Sequence, residues 1–221
     1  MKKQSILQHG LAVLILMAPA FYLSSVWAAL PESVPVHFGA DGLPDRYGSK
    51  SELWAVVGIL GGVGFLTYLL LTNIHHVDPK RAQGQSMESL SKMALATVLL
   101  LGLIGLMIVR SAITGEIGGS VLFVVLGLFL AYTGNLMHSV KPNYFFGIRL
   151  PWTLENEDNW RKTHQLGSKI WVAGGILISG LSLFLPTRYQ VTVLLVLIAF
   201  MVLVPGFYSY YLYRKQTRSE G

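Results

Sequence analysis

The sequence lacks cysteine and carries few charges. It has 221 residues, of which only 13% are Asp, Glu, Lys or Arg. A soluble domain usually contains about a quarter of such residues. The absence of cysteine excludes disulfides and thiolate chemistry. The shortage of charge excludes an ordinary soluble globular protein.

The missing charges leave six long apolar stretches. Each is long enough to cross the ~30 Å hydrocarbon layer as a helix of about 20 residues. The connections between them are shorter than the ~50 residues of the smallest domains, which excludes an appended soluble catalytic or DNA-binding domain. We therefore predict an all-α integral membrane protein, a six-span helical bundle. The stretches are 10–30, 53–73, 93–109, 117–137, 170–187 and 190–213.

The positions of the basic residues predict the orientation. If the N-terminus is cytoplasmic, 13 of the 17 Lys and Arg residues lie on the cytoplasmic side and 4 lie outside. Short cytoplasmic loops are enriched in Lys and Arg, so we predict an N-in, C-in protein of the bacterial cytoplasmic (inner) membrane. Residues 31–52 then lie outside, and residues 138–168 form a cytoplasmic loop. The net charge of +6 is a topology signal and does not indicate direct nucleic-acid binding.

The first apolar stretch resembles a secretory signal, because Lys2 and Lys3 precede it and Val26-Trp27-Ala28 resembles a cleavage site. Its apolar core, residues 11–27, is longer than the 7–15 residues of a typical signal. We expect a retained first span. Both interpretations place residues 31–52 outside.

Two pairs of small residues have the spacing of helix–helix contacts. Gly58 and Gly62 are four apart, as are Gly175 and Ser179. Such spacing lets two helix backbones approach closely. Packing within the bundle is the favoured interpretation, and a homodimer through Gly58 and Gly62 is the alternative.

The predicted spans contain no Asp, Glu, Lys, Arg or His near their middle. Such residues mark proton relays and transport sites, so a secondary transporter is disfavoured. The chain also shows no nucleophile–base pair, phosphate-binding glycine loop or metal-ligand cluster. We predict no enzyme activity, no catalytic or metal-binding residues and no cofactor.

The external loop, residues 31–52, contains strong turn signals. Residues 34–38 are expected to be extended because Pro35 restricts the backbone before it, and Asp41-Gly42 predicts a turn. We expect His37, Asp41 and Asp45 to bond the loop's own backbone, with a metal ion as the weaker interpretation. The candidate residues of this turn-rich loop are His37, Asp41, Gly42, Asp45 and Lys50.

The cytoplasmic loop ends in a predicted amphipathic helix. Thr153 is a plausible N-cap, and acidic residues follow in the first turns, where they suit the helix dipole. Trp160 and His164 lie four apart on one face. The helix is interpreted either as an interfacial helix anchored by Trp152 and Trp160 or as a docking surface for a partner.

Arg149 and Trp152 are the predicted functional centre of this loop. Arg can hold a carboxylate or phosphate through two parallel N–H groups, which Lys cannot imitate. Its expected partner is a lipid phosphate, an acid of another protein, or one of three carboxylates nearby: Glu155, Glu157 and Asp158.

Two motifs resemble a known family. Residues 143–154, followed by 160–164, resemble the signature of the SdpI-like immunity proteins. Residues 34–38 and 44–50 resemble the short N-terminal domain of unknown function that often precedes that signature. The resemblance implies a two-span unit (1–73), a four-span SdpI-like unit (90–213) and a cytoplasmic tail (214–221). The candidate motif residues are Asn143, Tyr144, Phe146, Gly147, Arg149, Pro151, Trp152, Thr153, Trp160 and His164.

The resemblance implies a protein that binds partners without catalysis. The expected function is immunity to a secreted, membrane-active peptide toxin, with relay through sequestration of a cytoplasmic repressor. The expected partners are the lipid bilayer, the toxin and the repressor. The alternatives are an envelope-maintenance membrane protein without a toxin partner, and a transporter of small molecules or lipids.

Overall fold

The computed structural model describes residues 2–39, 43–76, 85–116 and 118–219, and most of them are helical. Two short 3₁₀ turns, Trp27–Ala29 and Ile74–His76, follow the first two long helices. The other elements are α1 (Lys2–Val26), β1 (Ser33–Phe38), β2 (Pro44–Ser49), α2 (Glu52–Thr72), α3 (Gln85–Thr114), α4 (Ser120–Met137), α5 (Pro151–Glu155), α6 (Glu157–Ser182) and α7 (Thr187–Ser219).

Five of the described helices are long and apolar enough to span a membrane: α1, α2, α3, α4 and α7. The coarse prediction of a mostly helical, multi-pass membrane protein is thereby confirmed. Helix α6 is not among the five, because its first half carries charged residues. The predicted stretch 170–187 also ends early as a helix, at Ser182.

The long helices pack in two groups, with α1 and α2 against α3 and with α4 and α7 against α6. The closest approach is between α4 and α6. A Cβ on Gly127 would overlap the carbonyl oxygen of Gly175 and the hydroxyl of Ser179. The Ser179 hydroxyl donates to the Val124 carbonyl at 3.0 Å. The packing predicted for Gly175 and Ser179 is therefore confirmed.

Gly58 and Gly62 behave differently. Both are exposed, and a Cβ on either would meet no described atom within 4 Å. On the same helix it is Gly64 that packs tightly, against Leu16 and Leu101. The interpretation of Gly58 and Gly62 as internal packing residues is therefore wrong.

Pro205 lies inside α7 and lacks the N–H that would bond the carbonyl four residues earlier. That carbonyl belongs to Met201, and it accepts a hydrogen bond from Trp171 Nε1 at 2.9 Å. A side chain of α6 thus satisfies the backbone group that Pro205 frees, as proline in a membrane helix requires.

The two informative loops lie at opposite ends of the bundle. Strands β1 and β2 form an antiparallel hairpin. The sequence predicts the extended segment at 34–38 but not its pairing with a second strand. Val34 of this hairpin packs with Leu23, Leu53 and Val109. At the other end, one apolar cluster joins the loop after α4 to the neighbouring helix ends: Ile74, Leu90, Leu136, Met137, Val140, Phe146 and Trp160.

Candidate functional site

The hairpin, residues 33–49, carries its polar side chains on the surface. His37 Nδ1 donates to Asp45 Oδ1 at 2.6 Å, and both side chains are more than half exposed. They bond each other rather than the loop backbone, which corrects the prediction. Lys50 pairs with Glu32 at 2.9 Å and covers the ring of Trp27. Asp41 and Gly42 lie outside the described residues.

Asn143 organises the loop that follows α4, residues 138–156, here called the motif loop. Its side chain is fully buried. The amide oxygen accepts from the backbone N–H groups of Phe145 and Phe146 at 2.9 and 2.7 Å. The amide nitrogen donates to the carbonyls of Lys141 and Phe146 at 2.9 and 3.1 Å. One side chain therefore replaces the backbone partners that a helix or sheet would supply.

Gly147 and His164 fit together at the next turn. Gly147 has φ of +113°, a region that favours glycine, and a Cβ there would overlap His164 Nε2. The Ile148 N–H donates to that nitrogen at 2.9 Å, and His164 Nδ1 donates to the Trp160 carbonyl at 2.8 Å. These bonds require the neutral imidazole. Burial lowers the pKa of His164 to about 4, against the opposing effect of the bond to Trp160.

Trp160 is a core residue. Its side chain is 1% exposed, stacks on His164 with ring centroids 3.9 Å apart, and donates from Nε1 to the Val140 carbonyl at 2.8 Å. The interpretation of Trp160 as an anchor in the headgroup layer is therefore wrong. Together with Phe146, it holds the motif loop against the helix ends.

Thr153 bonds backbone groups of the motif loop and is not the N-cap of α6. It is buried as the third residue of α5, which begins at Pro151. Its hydroxyl accepts from the Leu150 N–H at 2.9 Å and lies 2.8 Å from the Ile148 carbonyl. The N-cap of α6 is Asn156, whose side chain accepts from the Asn159 N–H at 2.8 Å. The predicted role of Thr153 as that N-cap is wrong.

Trp152 joins the motif loop to α7. Its indole N–H donates to the Ser209 hydroxyl at 3.0 Å. The ring stacks on Tyr213 at 5.6 Å and meets Tyr210 edge-on at 5.5 Å. Trp152 is therefore held by protein contacts and is only partly exposed.

Three residues of this junction were missed by the sequence analysis: Asn159, Thr163 and Ser209. Asn159 donates to the Ser209 carbonyl at 3.0 Å and accepts from the Thr163 hydroxyl at 3.0 Å. All three are completely buried. Their only sequence signal is the spacing of Asn159 and Thr163, which puts two polar residues on the same helix face as Trp160.

Arg149 is exposed, and its guanidinium donates to the Tyr144 carbonyl. None of the predicted carboxylates pairs with it in the described part of the chain. Asp158 instead binds Arg161 and Lys162, both at 2.6 Å, and these bonds lower the pKa of Asp158. The exposed Tyr144 and Arg149 thus stand on a buried, bonded framework.

A polar groove of about 910 Å³ opens beside this framework. Its walls come from the motif loop and from the first turns of α6, and they carry charges of both signs. Among the described residues, no group of three His, Asp or Glu side chains is placed to hold a metal ion. The groove is suited to contact with a polar partner. Its charged and polar walls include His138, Lys141, Glu155, Glu157, Arg161 and Gln165.

Comparison with known proteins assigns the region that contains this site. Residues 139–209 match the SdpI/YfhL protein family. Most of the motif loop and all of α6 lie within this match. Residues 13–61 match a domain of unknown function, DUF1648. The family resemblance predicted from residues 143–154 is confirmed.

One relative is similar over nearly the whole chain, and a second over a short segment. The immunity protein SdpI of Bacillus subtilis is 24% identical over 97% of this chain and 100% of that protein. An uncharacterized protein of Archaeoglobus fulgidus is 63% identical over 27 residues, which are 12% of this chain and 15% of that protein. No solved structure matches.

Proposed function

We propose that this chain is an integral-membrane immunity protein that gives resistance to a secreted, membrane-active peptide toxin. The observation that carries the proposal is the similarity to the immunity protein SdpI over 97% of this chain and the whole of that protein. The hairpin lies within the DUF1648 match, and the motif loop from residue 139 onward lies within the SdpI/YfhL match.

The proposal includes a six-span, N-in and C-in topology in the bacterial cytoplasmic membrane. In it, the second half of α6 supplies the sixth span. The positions of the hairpin and motif loop at opposite ends of the bundle support this arrangement. The proposal keeps the two-span unit 1–73, the four-span unit 90–213 and the tail 214–221 as divisions of the sequence.

Reporter fusions test the topology. A cytoplasmic reporter should be active after Asn156 and after Arg218, and a periplasmic reporter should be active after Leu43. A periplasmic signal after Arg218 would show an odd number of spans.

In this proposal the two loops have different tasks. The external hairpin, with its exposed His37 and Asp45, meets the peptide on arrival. The motif loop presents Tyr144 and Arg149 to a cytoplasmic repressor and holds it at the membrane. One Arg149 N–H group donates to the Tyr144 carbonyl. A guanidinium carries five N–H donors, so it can bond a carboxylate as well.

The direct test is deletion of the gene followed by challenge with membrane-active peptides. The deletion strain should die at lower peptide concentrations than the parent, and the wild-type gene should restore survival. Leakage of a periplasmic marker is measured in parallel without peptide. Leakage without peptide sensitivity would support envelope maintenance and contradict immunity.

The docking role of Arg149 is tested at equal protein level in the membrane. Arg149→Lys should impair docking nearly as much as Arg149→Ala, because Lys cannot make the bidentate contact. Arg188→Lys is the matched control, since Arg188 is also exposed but lies outside the groove, over the ring of Tyr189. If Arg149→Lys retains repressor at the membrane like wild type, charge alone matters and the bidentate role is wrong.

A homodimer through Gly58 and Gly62 completes the proposal. Their exposure on α2 leaves a small-residue surface that a second copy can approach. Gly62→Ile should lower the dimer fraction in single-molecule photobleaching of the protein in bilayers. Gly180→Ile is the control, because Gly180 also has open space around it. An unchanged dimer fraction in Gly62→Ile would refute this interface.

A further inference from the structure

An apolar groove of about 440 Å³ lies at the seam between the two helix groups. Helices α1 and α4 both line it, and α3 forms its floor. With the exception of one end, its lining consists of apolar side chains. They include Leu11, Ile15, Leu99, Leu103, Leu128 and Phe129.

The length of the groove matches one leaflet of a bilayer. Along α3 it runs from Lys92 to Leu103, which at 1.5 Å per residue is about 16 Å. The hydrocarbon layer is ~30 Å thick, so the groove covers about half of it. It is too short for a spanning helix of a partner and long enough for one acyl chain.

The polar end of the groove is formed by Lys92 and Tyr132. Lys92 Nζ lies 2.6 Å from Glu88 Oε1, and its side chain is half exposed. An ammonium group has three donors, so this pairing leaves donors for a second anion. Tyr132 is 40% exposed and adds a hydroxyl at the same end. Basic and aromatic residues at such a position contact lipid headgroups.

We infer that this groove binds one phospholipid of the leaflet on the Lys92 side. One acyl chain lies in the groove, and the phosphate contacts the Lys92 ammonium and the Tyr132 hydroxyl. The bound chain fills the seam between the α1–α3 group and the α4–α7 group. This site does not depend on the proposed immunity function and lies apart from the motif-loop groove.

Native mass spectrometry of the full chain, titrated with phosphatidylglycerol, tests the inference. Leu99→Trp and Leu128→Trp place an indole in the groove at partly exposed positions, and each should reduce the fraction carrying one lipid several-fold. Leu195→Trp is the matched control on the exposed face of α7 and should bind like wild type. Two groove variants on different helices keep the test valid if one of them misfolds.

A second arm tests the headgroup contact. Lys92→Gln should weaken phosphatidylglycerol binding several-fold and reduce its advantage over phosphatidylcholine. Lys169→Gln, which removes an exposed lysine outside the groove, should change neither. Lipid retention by both tryptophan variants at the wild-type level would overturn the inference. If these variants instead change from dimer to monomer while lipid binding is unchanged, a second copy of the chain fills the groove, and the inference is also overturned.

Discussion

The hairpin and the motif loop place polar side chains in opposite surroundings. The His37–Asp45 pair of the hairpin is more than half exposed. Asn143 of the motif loop and His164, which bonds the motif loop from α6, are almost completely buried. Exposed ion pairs contribute about 0–1 kcal/mol, while a buried polar group left without its partner costs about 1–3 kcal/mol. The exposed polar pair of the hairpin therefore tolerates change, whereas the motif loop has a fixed shape.

The largest effect is expected for Gly147→Ala. The positive φ and the overlap with His164 Nε2 act together, and we expect a loss of about 4 kcal/mol in unfolding free energy. Gly115→Ala is the matched control, because Gly115 has φ of +76° but no described neighbour within 4 Å of a Cβ. It should cost about 1 kcal/mol. Equal losses in thermal unfolding would show that the fit to His164 is unimportant.

Asn143→Ala should cost about 3 kcal/mol, since it removes the partner of two N–H groups and two carbonyls, of which those of Phe146 are buried and the others are partly buried. Asn73→Ala removes an exposed amide that bonds the Leu69 carbonyl and should cost less than about 1 kcal/mol. Denaturant unfolding in micelles compares the two. A loss below 1 kcal/mol for Asn143→Ala would mean that the motif loop does not depend on this side chain.

The third prediction concerns acid. The pKa of His164 is about 4 in the folded chain and 6.5 without burial, so the unfolded chain binds the extra proton first as pH falls. The unfolding free energy is therefore unaffected by His164 above pH 6.5. Between pH 6.5 and about 4 it falls by at most about 3 kcal/mol. Unfolding measured across that window should show a steeper pH dependence for wild type than for His164→Gln. Equal slopes would contradict the buried neutral state.

The smallest effect is expected in the hairpin. Asp45→Asn removes the charge that faces His37 and should change the unfolding free energy by less than about 1 kcal/mol. The change should shrink further in high salt. A loss as large as that of Asn143→Ala would show that the hairpin, too, is a structural core.

The membrane helices were predictable because chain length and apolar runs alone require them. The extended segment at 34–38 was also predictable, since Pro35 restricts its backbone. The second strand was not, because residues 44–49 are mostly polar and exposed and owe their conformation to pairing with β1.

The site was only partly predictable. The motif lies in the segment that matches the SdpI/YfhL family. Helical spacing, however, cannot tell whether the Trp160–His164 face is covered by protein or by lipid. The role of Asn143 depends on four backbone groups that only the folded loop brings together. Among the partners expected for Arg149, Asp158 is taken by Arg161 and Lys162, which lie three and four residues further along α6. The lipid phosphate and the acid of another protein stay predictions.

Amide hydrogen exchange of the full chain in bilayers tests the fixed shape of the motif loop most directly. The N–H groups of Phe146, Ile148 and Leu150 bond side chains of Asn143, His164 and Thr153. We predict that these three amides exchange as slowly as those in the middle of α6, and much more slowly than the amide of the exposed Tyr47 in the hairpin. Exchange of all three at the rate of Tyr47 would contradict the account.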